Sequence, residues 1–174
     1  MIKNFPELRQ VYTYDCGANA LQSVLIYYGF DVREDKLMSL VKTNKNGSSP
    51  ENILKAFKFF KLKAKLIRRM SLVQLQRYLD QQRPVIIALQ AWSDKEKDYA
   101  QSWVDGHYVV AIGYDQRRFY FEDPSSVRRT YLSHKELLAR WHDCDSEGKK
   151  YYNLGIVALE KVKPREKAEK MLWW

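Results

Sequence analysis

Cysteine and histidine are both scarce in this sequence: its 174 residues include 2 cysteines and 3 histidines. Two cysteines can form one disulfide at most, so the chain is not a disulfide-stapled scaffold. So few Cys and His residues also cannot supply the regularly spaced ligands of a zinc finger. We therefore expect no metal and no cofactor.

Long apolar runs are also missing. No stretch approaches the roughly 18 apolar residues that a membrane-spanning helix needs. Pro6, Glu7 and Arg9 stand where a secretion signal requires an apolar run. We therefore expect a cytoplasmic protein. With 45% hydrophobic and 14% aromatic residues, the sequence predicts one folded domain over residues 1–160, followed by a charged C-terminal tail over residues 161–174.

The positive charge is concentrated in one stretch. The net charge is +9, and residues 36–83 hold 12 Lys and Arg against 2 acidic residues, a local net of +10. Such a field attracts nucleic acid, anionic lipid or an acidic peptide, although a solvated helix face has the same composition. The stretch contains no nucleic-acid-binding motif, so we do not expect nucleic acid as a partner.

Hydrophobic spacing and capping residues predict helices first and hairpin-linked strands later. Helices are predicted at about 16–28, 34–43, 50–60, 71–78 and 133–141, and strands at 64–67, 85–89, 108–112, 119–123 and 152–159. Residues 93–106 are predicted to form a long polar loop. This order predicts an α+β fold, with an antiparallel sheet packed against an N-terminal helix.

Cys16 is the candidate nucleophile. It begins the first strong helix, where unpaired backbone N–H groups and the helix dipole favour a thiolate. Gly17 leaves the approach to the sulfur open. Cys144 stands between Asp143 and Asp145, whose charges oppose a thiolate there, so we expect it to be a poor nucleophile.

A nucleophilic thiol needs a base, and the base needs an acceptor that orients it. His107 stands at the mouth of a predicted buried strand, and Asp123 ends the next predicted strand. In a hairpin these two positions are neighbours, so the topology predicts a His107–Asp123 pair. Gln10 precedes Cys16 by six residues, and its amide N–H can point toward an oxyanion formed at the attacked carbonyl. The backbone N–H of Cys16 would be the second donor.

These residues lead to a family resemblance. The motifs that carry it are Gln10, Tyr14-Asp15-Cys16-Gly17-Ala18, Leu21, Tyr27-Tyr28-Gly29, Gly106-His107-Tyr108-Val109-Val110 and Asp123-Pro124. Together they resemble the bacteriocin-processing cysteine peptidases, which are papain-like and cleave leader peptides after a Gly-Gly pair. The resemblance extends over about residues 5–160.

The resemblance implies a papain-like fold and a role for each motif residue. Cys16 would be the nucleophile, His107 the base, Asp123 the orienting acid and Gln10 an oxyanion-hole donor. Members of the family occur as the N-terminal domain of ABC transporters. No transporter follows in this sequence, so a transporter partner would be a separate chain.

The expected substrate is a peptide or protein, and a Gly-Gly leader peptide follows from the resemblance. Aromatic residues near the site are candidate walls of a narrow substrate cleft: Tyr14, Trp92, Trp103 and Tyr108. Two alternatives remain open at this point. The same nucleophile could serve another acyl transfer, as in an isopeptidase or a deamidase, or the chain could be a non-catalytic basic binding module.

Overall fold

A computed structural model of the protein describes residues 1–93 and 98–161. The helices are α1 (Cys16–Tyr27), α2 (Glu34–Leu40), α3 (Pro50–Phe59), α4 (Leu72–Asp80) and α5 (His134–Arg140). The strands are β1 (Ala64–Ile67), β2 (Val85–Gln90), β3 (Gly106–Tyr114), β4 (Arg118–Glu122), β5 (Thr130–Ser133), β6 (His142–Cys144), β7 (Lys150–Tyr152) and β8 (Gly155–Ala158). Apart from Lys161, the predicted C-terminal tail lies outside the described residues, and the domain boundary at residue 160 stays a prediction.

The strands form a six-stranded sheet in the order β1-β8-β2-β3-β4-β5, in which every neighbouring pair is antiparallel. β6 and β7 form a separate two-stranded antiparallel sheet. The central strands β2 and β3 are buried over nearly their whole length, as their continuous apolar runs require. The predicted α+β fold with an antiparallel sheet is confirmed.

Helix α1 packs against β3 and carries Cys16 at its first position. Leu21 and Leu25 are completely buried, and each stabilises the fold by roughly 2 kcal/mol through removal of apolar surface from water. Ala18 is equally buried and lets the helix approach the sheet closely. Gly29 takes φ +92° just beyond the helix end, a left-handed conformation in which glycine commonly ends a helix.

The predicted start of α3 is confirmed, and so is that of α4. Ser49 caps α3 by accepting a hydrogen bond from the Asn52 backbone N–H, and Pro50 occupies the first turn. Ser71 and Gln74 form a reciprocal capping box at the start of α4. Local polar residues therefore set where these two helices begin.

The single strand predicted over residues 152–159 is wrong in its extent. Two strands occupy this region, β7 and β8, and the chain turns between them because Asn153 adopts φ +48°. Strands β5 and β6 were not predicted, since three or four residues give too little alternation to show a period. None of the helices in residues 1–93 and 98–161 has the length and apolar character needed to cross a membrane.

Candidate active site

Cys16 lies at the N-terminus of α1, with 8% of its surface exposed. The loop before it is held by Asp15, which is fully buried and whose Oδ2 accepts hydrogen bonds from the backbone N–H groups of Val11 and Tyr12 at 3.0 and 2.9 Å. At Gly17 a Cβ would lie 3.1 Å from the Tyr108 ring, so glycine allows the helix start to seat against β3. Asp15 on one side of Cys16 and the Gly17–Tyr108 contact on the other therefore fix the position of the thiol at the helix terminus.

The sheet register brings His107 and Asp123 together. Val110 of β3 pairs with Glu122 of β4, so continuing the antiparallel register puts Asp123 opposite Val109. His107 is two residues before Val109 and therefore shares its face, as a diagonal neighbour of Asp123. The Nε2 atom of His107 lies 2.8 Å from Oδ1 of Asp123.

The Cys16 thiol also acts on the His107 imidazole and favours its protonated form. Because Nε2 faces Asp123, Nδ1 is the nitrogen left for the thiol. Burial by itself lowers the pKa of His107, but the hydrogen bond to Asp123 and the influence of Cys16 outweigh burial and raise that pKa to about 10. The environment therefore favours a protonated imidazole beside the sulfur.

The buried Asp123 carboxylate accepts hydrogen bonds from four donors. Oδ1 accepts from His107 Nε2 and from the Ser125 backbone N–H, and Oδ2 accepts from Trp92 Nε1 and Thr130 Oγ1. Burial raises the pKa of Asp123, but the hydrogen bond and charge of His107, with the other donors, hold it below its usual value. The carboxylate is thus kept ionised and is fixed in orientation.

Gln10 is joined to the same region through the loop after Asp123. Its Nε2 donates to the Tyr12 carbonyl at 2.7 Å, and its Oε1 accepts from Ser125 Oγ at 2.9 Å. Its backbone N–H donates to the Pro124 carbonyl at 3.0 Å. Within the described part of the chain the Gln10 amide makes no hydrogen bond with Cys16, but it carries a second N–H beyond the one that Tyr12 accepts.

Cys16 opens into a cleft of about 330 Å³. Tyr14 and Trp103 line this cleft with it, as two of the predicted wall residues. Gly106 is also part of the wall, and a Cβ at this position would overlap the Asp143 carboxylate. The Gly106 backbone and the Asp143 carboxylate are therefore in close contact at the wall of the cleft.

Tyr108 lies apart from this cleft. It is 7% exposed, and its hydroxyl donates to the Ser48 carbonyl at 3.0 Å. It lines a neighbouring pocket of about 130 Å³ together with Cys144 and Asp145. The Tyr108 ring therefore forms part of the surface on which Gly17 packs.

Cys144 shares the cleft with Cys16 but has a different environment. Burial, together with the charges of Asp143 and Asp145, raises the pKa of the Cys144 thiol. Its Sγ donates to the Trp103 carbonyl at 3.2 Å. The two cysteines are therefore chemically unequal.

Two residues of the site have roles that the sequence did not indicate. Asp15 belongs to the motif around Cys16, and its complete burial and its two hydrogen bonds from backbone N–H groups make it the anchor of the loop that carries Gln10. Trp92 was expected only as a cleft wall, yet its indole bonds to Asp123. A polar residue next to the nucleophile was the available signal for Asp15, whereas nothing in the local pattern marks Trp92.

Solved structures of known proteins resemble this fold. A C39-like peptidase from Bacillus anthracis matches with a TM-score of 0.71 and 19% identity, covering 92% of this chain and 96% of the other. The peptidase domain of Streptococcus ComA, a bifunctional ABC transporter of a quorum-sensing pathway, matches with a TM-score of 0.67 and 24% identity, covering 90% and 100%. A double-glycine-motif protease from an AMS/PCAT transporter, solved with its leader peptide, matches with a TM-score of 0.63 and 21% identity, covering 88% and 90%.

At these identities the likeness demonstrates the papain-like peptidase fold. No protein of curated function matches the sequence significantly. The sequence model of the peptidase C39 family does match, over residues 4–144, which is most of the chain. The chain therefore belongs to the peptidase C39 family and is a cysteine peptidase.

Proposed function

We propose that this protein hydrolyses a peptide bond with Cys16 as nucleophile, His107 as acid and base, and Asp123 as the orienting carboxylate. The observation that carries the proposal is the position of the His107 imidazole, which bonds Asp123 through Nε2, leaves Nδ1 for the thiol and is influenced by Cys16. A thiol, an imidazole and an orienting carboxylate are the groups that thiol acyl transfer requires.

In the proposed reaction the Cys16 thiolate attacks the carbonyl carbon of the scissile bond. The negative charge moves to the carbonyl oxygen, which accepts hydrogen bonds from the Cys16 backbone N–H and from the second N–H of the Gln10 amide. Protonated His107 gives its proton to the leaving nitrogen as the C–N bond breaks. This leaves a thioester on Cys16 and a free amine product.

Water then completes the cycle. His107, now neutral, takes a proton from the water molecule as its oxygen attacks the thioester carbonyl. The C–S bond breaks, the acid product leaves, and Cys16 and His107 return to their starting protonation states. Asp123 holds one imidazole orientation through both steps, because four donors fix its carboxylate.

We further propose that the residues before the scissile bond are two glycines. Tyr14 and Trp103 line the cleft beside Cys16, and the closely packed Gly106 and Asp143 form another part of its wall. A side chain on either of the last two substrate residues has little room there. The solved double-glycine-motif protease with its leader peptide has a similar fold, which supports this substrate class.

We also propose a binding surface for the rest of the substrate and a partner for its export. Several lysines on α3 and in the turn after it are exposed to solvent: Lys55, Lys58, Lys61 and Lys63. An acidic leader segment would be attracted by this charge.

Since a similar domain belongs to the ABC transporter ComA, a separate ABC transporter is the proposed downstream partner.

The test uses matched peptides that differ only in the two residues before the cut. We expect cleavage of the Gly-Gly peptide by the wild type, no cleavage by Cys16→Ala, and at least a hundredfold loss of kcat/KM when either glycine is replaced by alanine. Equal cleavage of all peptides would contradict the Gly-Gly specificity while leaving the peptidase reaction intact. Adding acidic residues upstream should increase kcat/KM at low salt and lose that advantage at high salt.

A further inference from the structure

Trp92 occupies an unusual position between the end of β2 and the loop that leads to β3. Its backbone has φ +59°, a left-handed conformation that is unfavourable for a bulky side chain. The neighbouring residues hold it there, since the Ala91 N–H donates to the Asp105 carbonyl at 2.9 Å and the Ser93 N–H donates to the Tyr99 hydroxyl at 2.8 Å.

Burial of apolar surface does not explain why a tryptophan occupies this position. The side chain is 57% exposed, so it removes little apolar surface from water for its size. Its polar atom, however, makes a hydrogen bond, because the indole Nε1–H donates to Asp123 Oδ2 at 2.8 Å. The strained backbone therefore directs the indole N–H onto the oxygen of Asp123 that His107 does not use.

We infer that Trp92 is a positioning residue for the peptidase reaction, whose indole N–H locks the Asp123 carboxylate in the rotation that aligns His107 with Cys16. This inference rests on the proposed function, in which Asp123 orients His107. Thr130 Oγ1 also donates to Oδ2, but at 3.4 Å it is the weaker contact. Without the indole, one carboxylate oxygen loses its main restraint and the imidazole loses its fixed partner.

The central experiment compares the kinetics of Trp92→Phe with those of wild type on a Gly-Gly peptide. Phenylalanine keeps a large ring and removes the N–H. We expect kcat to fall about tenfold, the effect of losing one hydrogen bond to a charged group, with KM within a factor of two. An unchanged kcat would overturn the inference. A higher KM at normal kcat would also overturn it and make Trp92 a wall of the substrate cleft.

A second variant separates positioning from folding. Trp92→Gly removes the indole but suits the left-handed backbone, so we expect its melting temperature to equal or exceed that of wild type. Its kcat should nevertheless be as low as that of Trp92→Phe. A loss of melting temperature that parallels the loss of activity would show a structural role and overturn the inference.

The pH profile gives a readout that a purely structural role would not move. The hydrogen bond from His107 to Asp123 helps to raise the pKa of the imidazole. A loosened carboxylate should therefore shift the alkaline limb of kcat to lower pH in Trp92→Phe, although Asp123, Cys16 and Asp143 still face His107. An unshifted limb together with reduced kcat would count against the positioning role.

Controls distinguish this inference from the proposed function. Tyr131→Phe alters another aromatic side chain of the small cavity that Trp92 and Asp123 line, and it should leave kcat unchanged. Thr130→Val should reduce kcat less than Trp92→Phe, in line with its longer bond.

If Asp123→Asn retains full activity, the proposed function fails. If Asp123→Asn is impaired and Trp92→Phe is not, the inference about Trp92 alone fails.

Discussion

The His107 imidazole and the Asp123 carboxylate meet at the ends of two paired strands, with Nε2 and Oδ1 separated by 2.8 Å. Both residues are almost fully buried, at 6% and 2% exposure. Their contact is set by the β3–β4 register rather than by flexible loops. Two strands therefore hold the imidazole–carboxylate pair, and Cys16 lies at the N-terminus of α1.

Asp123→Asn should lower kcat by at least about a hundredfold without unfolding the protein. Asparagine retains an acceptor oxygen but carries no charge, so it no longer stabilises the imidazolium, and its N–H₂ group can enforce the wrong imidazole tautomer. Steady-state kinetics on a cleaved peptide and the melting temperature would be measured together. Unchanged kcat would show that Asp123 is only a turn residue.

Cys16 should react with iodoacetamide at neutral pH at least tenfold faster than Cys144. In the proposed mechanism the imidazole of His107 accepts the Cys16 proton, whereas burial and the neighbouring carboxylates raise the pKa of Cys144. Mass spectrometry of peptides taken at successive times gives both rates in one sample. Equal rates in the folded protein would contradict the assignment of Cys16. Cys144→Ser should leave peptide cleavage unchanged.

Gln10→Ala should reduce kcat by about a hundredfold with little change in KM, because an oxyanion donor acts mainly in the transition state. Gln10→Glu is the matched control, since it keeps the size and the acceptor for Ser125 but removes both N–H donors. It should be impaired at least as much as Gln10→Ala. A raised KM with normal kcat in either variant would identify Gln10 as a substrate-binding residue instead.

Asp143 should make folding stability depend on pH in the opposite sense to a salt-bridged carboxylate. Burial raises its pKa to about 6, so the folded state holds a proton that the unfolded state releases near pH 4. Stability from this group is therefore lost as pH rises from about 4 to 6. Asp143→Asn keeps an acceptor for the Cys144 N–H and does not titrate.

The measurement is the melting temperature of the wild type and of Asp143→Asn between pH 4 and pH 7.5. The difference, variant minus wild type, should be larger at pH 7.5 than at pH 4. A difference that is constant with pH, or larger at pH 4, would mean that the Asp143 pKa is not raised in the folded state.

Local and periodic signals in the sequence were enough to predict part of the fold and of the site. Helix α1 followed from the spacing of its apolar residues. The His107–Asp123 contact could be anticipated because a hairpin makes the start of one strand adjacent to the end of the next. The family resemblance was carried by these same residues, so the fold and the peptidase class were within reach.

What could not be predicted depends on contacts between distant segments. The β6–β7 hairpin has strands of three residues each, and its Asp143 reaches the cleft only by packing against Gly106. The left-handed backbone of Trp92 has no sequence signature, because φ above zero is rare for tryptophan. Tyr108 directly precedes two buried valines of β3, and only the tertiary structure shows that its hydroxyl reaches Ser48.

The most direct test of the central claim is to trap the covalent intermediate. Wild-type protein mixed with a Gly-Gly peptide and quenched in acid within the first turnover should carry the N-terminal part of the peptide as a thioester. Peptide mapping should locate the adduct on Cys16, and His107→Ala should accumulate little of it. Cleavage without any adduct on Cys16, or an adduct on Cys144, would contradict the account.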